Sequence, residues 1–336
     1  IVKMKIKTAC LAGLLCLATS FSIGAFAQKP TLRFKADKTF KIVQFTDLHV
    51  KYQDPRSEIT FERVKQVVAD ERPDLVILTG DVIFSPPAAD NLRNVLQTLV
   101  DLKVPFATVF GNHDDEQGAT REELLQIAQS MPYCLTTDEE PALSGVGNYV
   151  LPVLASTGEQ PALTLYCIDS NSYSSIEGVK GYDYIKRDQV DWYARRSSGF
   201  TEANGGKPLP ALAFFHIPLP EYNQAASDEN AQSYGIRREK ACAPVLNSGL
   251  FTAMKEQGDV MGVFVGHDHD DDYAVCWQDV VLAYGRYTGG NTVYNHLPNG
   301  ARVIQLKEGE RSFKTWIRTA AGVEQVTTYP DSYRKD

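Results

Sequence analysis

The chain has 336 residues, 43% of them hydrophobic and 10% aromatic. That is enough for one large domain or two small ones, and too apolar for a disordered chain. A formal charge of −8 argues against binding a nucleic-acid polymer, which relies on lysine and arginine.

The first stretch is read apart from the fold. Ile1, Val2 and Lys3 precede Met4, a candidate start. Lys3, Lys5 and Lys7 form a basic opening, an apolar run follows over 9–27, and Ala25-Phe26-Ala27 closes it. This order predicts a signal peptide over 1–27, cut before Gln28. Thr19, Ser20, Ser22 and Gly24 interrupt the run, which disfavours a retained membrane anchor. The expectation is an exported protein, periplasmic or extracellular, free of the membrane after cleavage. The mature chain keeps Cys134, Cys167, Cys242 and Cys276. An oxidising compartment permits one or two bridges, and four free thiols are the equal alternative.

After a lead-in over 28–40, a rhythm begins. "KIVQFT" (41–46) reads as a buried strand ending at Asp47. Phe61, Val64, Val67 and Val68 are spaced for a helix over 58–70. "DLVILTGD" (74–81) is a second strand, and Leu92, Val95, Leu96 and Leu99 predict a helix over 90–101 capped by Asp90. "PFATVFGNHD" (105–114) repeats strand, glycine and polar end, and Thr120 with Glu123 forms a capping box for the next helix. Three βα units in a row predict parallel strands. In such sheets the functional groups gather at the carboxyl ends of the strands.

The second half is richer in strands. They are expected over 148–153, 163–169, 211–218 and 260–269, with short runs near 274–277, 280–284, 301–306 and 312–318. Helices are expected near 187–196 and 245–257, with a polar loop over 197–208. No linker divides the chain, so 28–336 reads as a single domain built on two sheets.

Polar clusters follow the apolar β runs. They are Asp47-Leu48-His49, Gly80-Asp81, Gly111-Asn112-His113-Asp114, His216 and Gly266-His267-Asp268-His269. Buried charge needs a partner, and a cation answers that need. The mixture of nitrogen and oxygen donors suits Zn, Mn or Fe better than calcium or magnesium. On an extended segment, alternate residues point the same way, so D-x-H and H-x-H would each present two donors together.

Taken in order, D-x-H, G-D, G-N-H-D, a lone histidine after a strand and G-H-x-H resemble the calcineurin-like metallophosphoesterase superfamily. "FFHIPLPEY" (214–222), "GHDHDDDY" (266–273) and "YGRYTGGNTVYNH" (284–296) are similar to a subgroup related to purple acid phosphatases, which includes plant proteins labelled probable inactive and fungal phosphatases. Two positions depart from the true purple enzymes. His49 stands where they carry glycine, and Phe84 stands where they carry a tyrosinate iron ligand.

The resemblance implies a four-layer α/β/β/α sandwich of two mixed sheets flanked by helices. It also implies a two-metal centre. Asp47, His49 and His269 would hold one ion, Asn112, His216 and His267 the other, and Asp81 would bridge them. A hydroxide between the ions would attack phosphorus, with no soluble cofactor. His113 would face the substrate, and Asp114 would orient it through its other ring nitrogen. The implied activity is phosphomonoester hydrolysis on a small phosphorylated substrate. A phosphodiesterase or nucleotide hydrolase is the alternative on the same centre, and an inactive metal-stabilised binding protein is the non-enzyme alternative.

The acidic run itself is not read as ligands. Asp268 is expected to point away from its flanking histidines, Asp270 or Asp271 to hydrogen-bond behind the site, and Asp272 to face solvent. His296 is read as non-catalytic. Arg286, Tyr284, Tyr287 and Asn171 are candidates for shaping the pocket; Arg286 could bind a phosphate there, and a surface salt bridge is its commoner alternative.

Overall fold

The computed structural model describes residues 29–334, so the expected signal peptide, 1–27, lies outside the described residues. Three βα units open the fold: β1 (Thr39–Phe45), α1 (Glu58–Glu71), β2 (Leu75–Thr79), α2 (Ala88–Asp101), β3 (Phe106–Val109) and α3 (Arg121–Ser130). The middle of the chain supplies β4 (Tyr149–Leu154), β5 (Pro161–Cys167), α4 (Arg187–Ala203), β6 (Ala211–Phe214), α5 (Glu221–Ser227), β7 (Ser233–Tyr234), α6 (Leu250–Gln257), β8 (Val260–Val265), β9 (Ala274–Trp277) and β10 (Val280–Tyr284). Three strands close it: β11 (Gly300–Lys307), β12 (Phe313–Thr319) and β13 (Gly322–Tyr329).

Side-chain alternation sets the layering. Phe40 and Ile42 of β1 pack in one core, and Val43 and Phe45 in another. Leu75 and Ile77 of β2 join the first, and Val76 and Leu78 the second. A sheet apolar on both faces must be covered on both. One sheet has the order β13-β12-β11-β1-β2-β3, and the other β4-β5-β6-β8-β10-β9-β7. Both are mixed. β1, β2 and β3 run parallel while β11 is antiparallel to β1, and β5, β6, β8 and β10 run parallel between antiparallel β4 and β9.

Three cores fill the gaps between four layers. Val64, Leu92, Leu96 and Leu124 seal α1, α2 and α3 onto the first sheet. Ile77, Leu165, Phe214, Phe264 and Ile304 pack between the sheets. Trp192, Tyr222, Phe251 and Met254 seal α4, α5 and α6 onto the second. The α/β/β/α sandwich is as the resemblance implied.

Local expectations differ in places. Thr120 and Glu123 do form the capping box, with Glu123 accepting the Thr120 N–H at 2.9 Å. Asp90 lies in the first turn of α2, not at its cap, because the helix starts earlier, behind Pro87. The loop expected over 197–208 begins as helix, since α4 continues to Ala203. Ser197 explains part of this: it is buried and donates to Asp259, which also accepts from Tyr166 and Tyr193. α5 and β13 were not anticipated. The four described cysteines are unpaired. Among the described residues, no helix is long and apolar enough to cross a membrane.

Phe264 is fully buried between the sheets and stacks on Phe214 at 5.4 Å. Phe264→Ala should lower the unfolding free energy by about 3–5 kcal/mol in urea denaturation. A change below about 1 kcal/mol would mean that the inter-sheet core is not what joins the layers.

Candidate metal centre

The ligand candidates lie just past the carboxyl ends of five parallel strands. Asp47, Asp81 and Asn112 follow β1, β2 and β3 of one sheet, and His216 and His267 follow β6 and β8 of the other. The loops are stitched together by backbone. Asp47 N–H donates to Gly80 O at 3.1 Å and His49 N–H to Asp81 O at 2.9 Å. That stitching turns the chain. Asp47, His49, Asp81 and His267 have φ of 53°, 42°, 51° and 84°, in the left-handed region. The extended D-x-H and H-x-H segments of the sequence reading are therefore corrected: the donors converge through turns. Non-glycine residues in this region each cost on the order of 1–3 kcal/mol, and such strain clusters at functional sites.

Two glycines allow the approach. A Cβ on Gly111 would run into the Asp81 carboxylate, and one on Gly266 into Thr46 Oγ1 and the Asp47 carboxylate.

The donors form two groups that share one residue. Asp47, His49, Asp81 and His269 make the first, and Asp81, His216 and His267 the second; within each group the donor atoms lie within 4.8 Å of one another. In the first, His49 Nε2 is 3.0 Å from His269 Nε2 and 3.5 Å from Asp81 Oδ2, and His269 Nε2 is 3.6 Å from Asp47 Oδ1. In the second, His216 Nε2 is 3.3 Å from Asp81 Oδ2 and 3.2 Å from His267 Nδ1. Asn112 adds a buried Oδ1 without a hydrogen-bond partner, while its Nδ2 donates to Tyr173 Oη at 3.1 Å.

The outer ring nitrogens show why a cation fits. His216 Nδ1 faces Thr79 O at 2.8 Å, and His269 Nδ1 faces Tyr294 O at 2.9 Å. A carbonyl only accepts, so each Nδ1 carries the proton. Each ring then turns its Nε2 toward the carboxylates. That arrangement repels unless positive charge lies between, and the backbone carbonyls fix it as they do for metal-ligating histidines.

The titration behaviour has the same cause. Burial lowers the His216 value, but Asp81 and Asp47 outweigh it and push it up to about 9. Burial would raise Asp81, yet His216 and His49 hold it well below the usual carboxylate range. Burial pushes Asp47 up and pulls His49 and His267 well down. Protons and cations compete for one set of donors.

His113 sits beside this centre, partly exposed. Its N–H donates to Asp81 Oδ1 at 2.9 Å, and its ring lies 5.7 Å from that of His49. Asp114 does not orient the ring, which corrects the sequence reading. Its carboxylate accepts the N–H groups of Asp81, Val82, Ile83 and Gly111 at 2.7–3.1 Å, and so holds the β2 and β3 loops together. Burial and the Asp81 charge push it up to about 6. The carboxylate at His113 is Glu116, whose Oε2 is 2.6 Å from Nδ1. The i,i+3 spacing in a helical turn was the available signal for it. Tyr182, edge-on to His267 at 4.3 Å, and Tyr294, stacked on His269 at 4.6 Å, come from loops whose sequence carried no such signal.

The acidic run divides its labour. Asp268 points away from its flanking histidines and accepts from Tyr284 Oη at 2.6 Å and from Cys242 N. Asp270 meets His296 Nδ1 at 2.5 Å, and Asp271 accepts the N–H groups of Arg238 and Glu239. Asp272 was expected in solvent. It is buried, accepts from Arg286 Nε at 2.8 Å, and takes a further bond from Gln325. Arg286 is therefore an internal strut and not a surface ion pair. Tyr284 is tied to Asp268, and Asn171 donates to Tyr184 O and Gln189. Tyr287 does lie near the centre, with its ring 5.0 Å from that of His269.

A family model described as calcineurin-like phosphoesterase matches residues 40–271. The probable inactive purple acid phosphatase 29 of Arabidopsis thaliana is 33% identical over 91% of this chain and 88% of its own length. Phosphatase DCR2 of Saccharomyces cerevisiae is 33% identical over 85% of this chain and 55% of its own length. Among solved structures, a dimetal phosphatase from Danio rerio superposes with a TM-score of 0.59 at 14% identity, covering 86% of this chain and 98% of that one.

Asp81 is the residue common to both donor groups, so its loss should disrupt both. Asp81→Ala protein, reconstituted with zinc and desalted, should retain less than half the metal of the wild type while remaining folded. Elemental analysis beside far-UV circular dichroism checks this. Wild-type metal content in the folded variant would remove Asp81 from the shared position.

Proposed function

The chain belongs to the calcineurin-like phosphoesterase family, and on that footing we propose that it is a dinuclear metal-dependent phosphatase acting on small phosphomonoesters. The observation that carries this reading is the buried carboxylate of Asp81, shared between two convergent groups of imidazole and carboxylate donors. Asp47, His49 and His269 would hold one cation, Asn112, His216 and His267 the other, with Asp81 between them. Zinc, manganese or iron suits this mixture of donors. Bound there, the ions would supply Lewis acidity toward a phosphoryl oxygen and a water of lowered pKa.

The chain's own residues do the rest. Asp114 locks the loops that carry Asp81 and Asn112. His113, anchored by its N–H on Asp81, is free to meet the substrate with its ring and to pass a proton to the leaving oxygen. Phe84 lies edge-on to His49 at 4.9 Å and to His113 at 5.1 Å. It has no oxygen to bind iron, so neither a purple charge-transfer band nor an obligatory ferric ion belongs to this reading. Three similar plant proteins carry the word inactive in their names. Here every implied donor is present and all of them are buried, which supports turnover.

Zinc- or manganese-loaded protein should hydrolyse p-nitrophenyl phosphate faster than its bis ester and lose activity on chelation. His113→Ala should keep its metal and lose about 10²–10⁴ in kcat. Turnover of the bis ester alone would make the protein a diesterase. Full activity in His113→Ala would remove that residue from the chemistry.

We further infer export, which the basic and then apolar opening segment supports. Fractionation of producing cells should place the protein outside the cytoplasm, with Gln28 as its first residue. A cytoplasmic protein retaining 1–27 would overturn this.

A further inference from the structure

A carboxylate that the phosphatase reading does not use stands behind the residue that it uses most. Glu116 lies in the short helical turn Asp114–Gln117, directly after the ligand loop. Its Oε2 is 2.6 Å from His113 Nδ1. An ionised carboxylate only accepts, so the proton on that side of the ring belongs to Nδ1. Nε2, across the ring, is then the nitrogen left for substrate. On the other side of His113 in the chain, Asn112 donates from Nδ2 to the Tyr173 hydroxyl at 3.1 Å, which turns the amide so that Oδ1 is left for the metal centre.

We propose that Glu116 is the positioning residue for His113. It fixes the ring in the Nδ1–H state and makes Nε2 the atom that protonates the leaving group. This rests on the phosphatase reading. In the step assisted, a water oxygen bonds to phosphorus and gives its proton to solvent, while the bond from phosphorus to the leaving oxygen breaks and the electron pair stays on that oxygen. The Nε2 proton caps it, and the ring regains a proton from solvent. Glu116 itself gains and loses nothing. Its carboxylate stabilises the charged ring that donates, as the third member of a nucleophile–base–orienter set does. The neighbouring Asp114 cannot take this part, because its oxygens already accept four backbone N–H groups.

The test uses zinc-loaded full chain and two esters, p-nitrophenyl phosphate and phenyl phosphate. Phenolate is the poorer leaving group and depends more on the proton. Glu116→Ala should keep its zinc and lose about tenfold or more further on phenyl phosphate than on p-nitrophenyl phosphate. Glu116→Gln still offers an oxygen to Nδ1–H without the charge, and should fall between the two. The second readout does not need turnover. Nitrogen-15 shifts of the His113 ring, recorded about two pH units above the ordinary histidine value, should show Nδ1–H in wild type and Glu116→Gln. Glu116→Ala should show proton density moved to Nε2. An unprotonated Nδ1 in wild type, or an equal loss on both esters in Glu116→Ala, would overturn the assignment. Wild-type protein with the Nδ1–H ring and bound zinc, yet inert to both esters, would sink the phosphatase reading and leave the positioning role standing.

Discussion

A carboxylate taken out of water must find positive charge or hydrogen-bond donors, and Asp81 is almost fully buried. Everything around it answers that requirement. The His113 N–H takes one oxygen, while the Nε2 atoms of His49 and His216 face the other from opposite groups. Two imidazoles of the centre have their outer protons fixed on the carbonyls of Thr79 and Tyr294, so it is Nε2 that each turns toward the carboxylates. Imidazoles and carboxylates crowded in this way make two donor groups that share one carboxylate and for which protons and cations compete.

The fold's task is to bring strand ends from two sheets to that point. Parallel β1, β2 and β3 deliver one set of loops, and β6 and β8 the other. The loops then bend through left-handed residues at Asp47, His49, Asp81 and His267. Such strain persists only where the surroundings over-determine the conformation. Here they do so through bonds from one loop backbone to the next, and through Asp114, whose carboxylate is the peg that four amides share. Support extends outward in the acidic run, where Asp268, Asp271 and Asp272 each hold a different loop or strut.

Much of this was legible in the residues. Alternating apolar runs, helical spacing and the capping box at Thr120 placed the opening βα units, because those signals are local. The ligand candidates stood in order after apolar strands, because a strand end is also a local signal. The structure gathers Asp47, His49 and His269 on one side of Asp81, and His216 and His267 on the other. Less legible were α5, β13 and the second half of α4, the last polar and glycine-containing and held in part by the bond from Ser197 to Asp259, distant in the chain. The Asp114 assignment failed for a related reason. The family resemblance implied contact with the His113 ring, but backbone amides of the neighbouring strand end claim the carboxylate.

By itself, then, the sequence determined the donor types, their order and the strands that carry them, since residue identity and period need no partner to be read. Only the tertiary structure decided which nitrogen of each histidine faces inward, which acid stands behind His113, and that Asp272 with Arg286 is internal. Those outcomes depend on which hydrogen-bond acceptor lies within about 3 Å after two sheets have packed. Distances of that kind arise between residues far apart in the chain, so no local pattern can encode them.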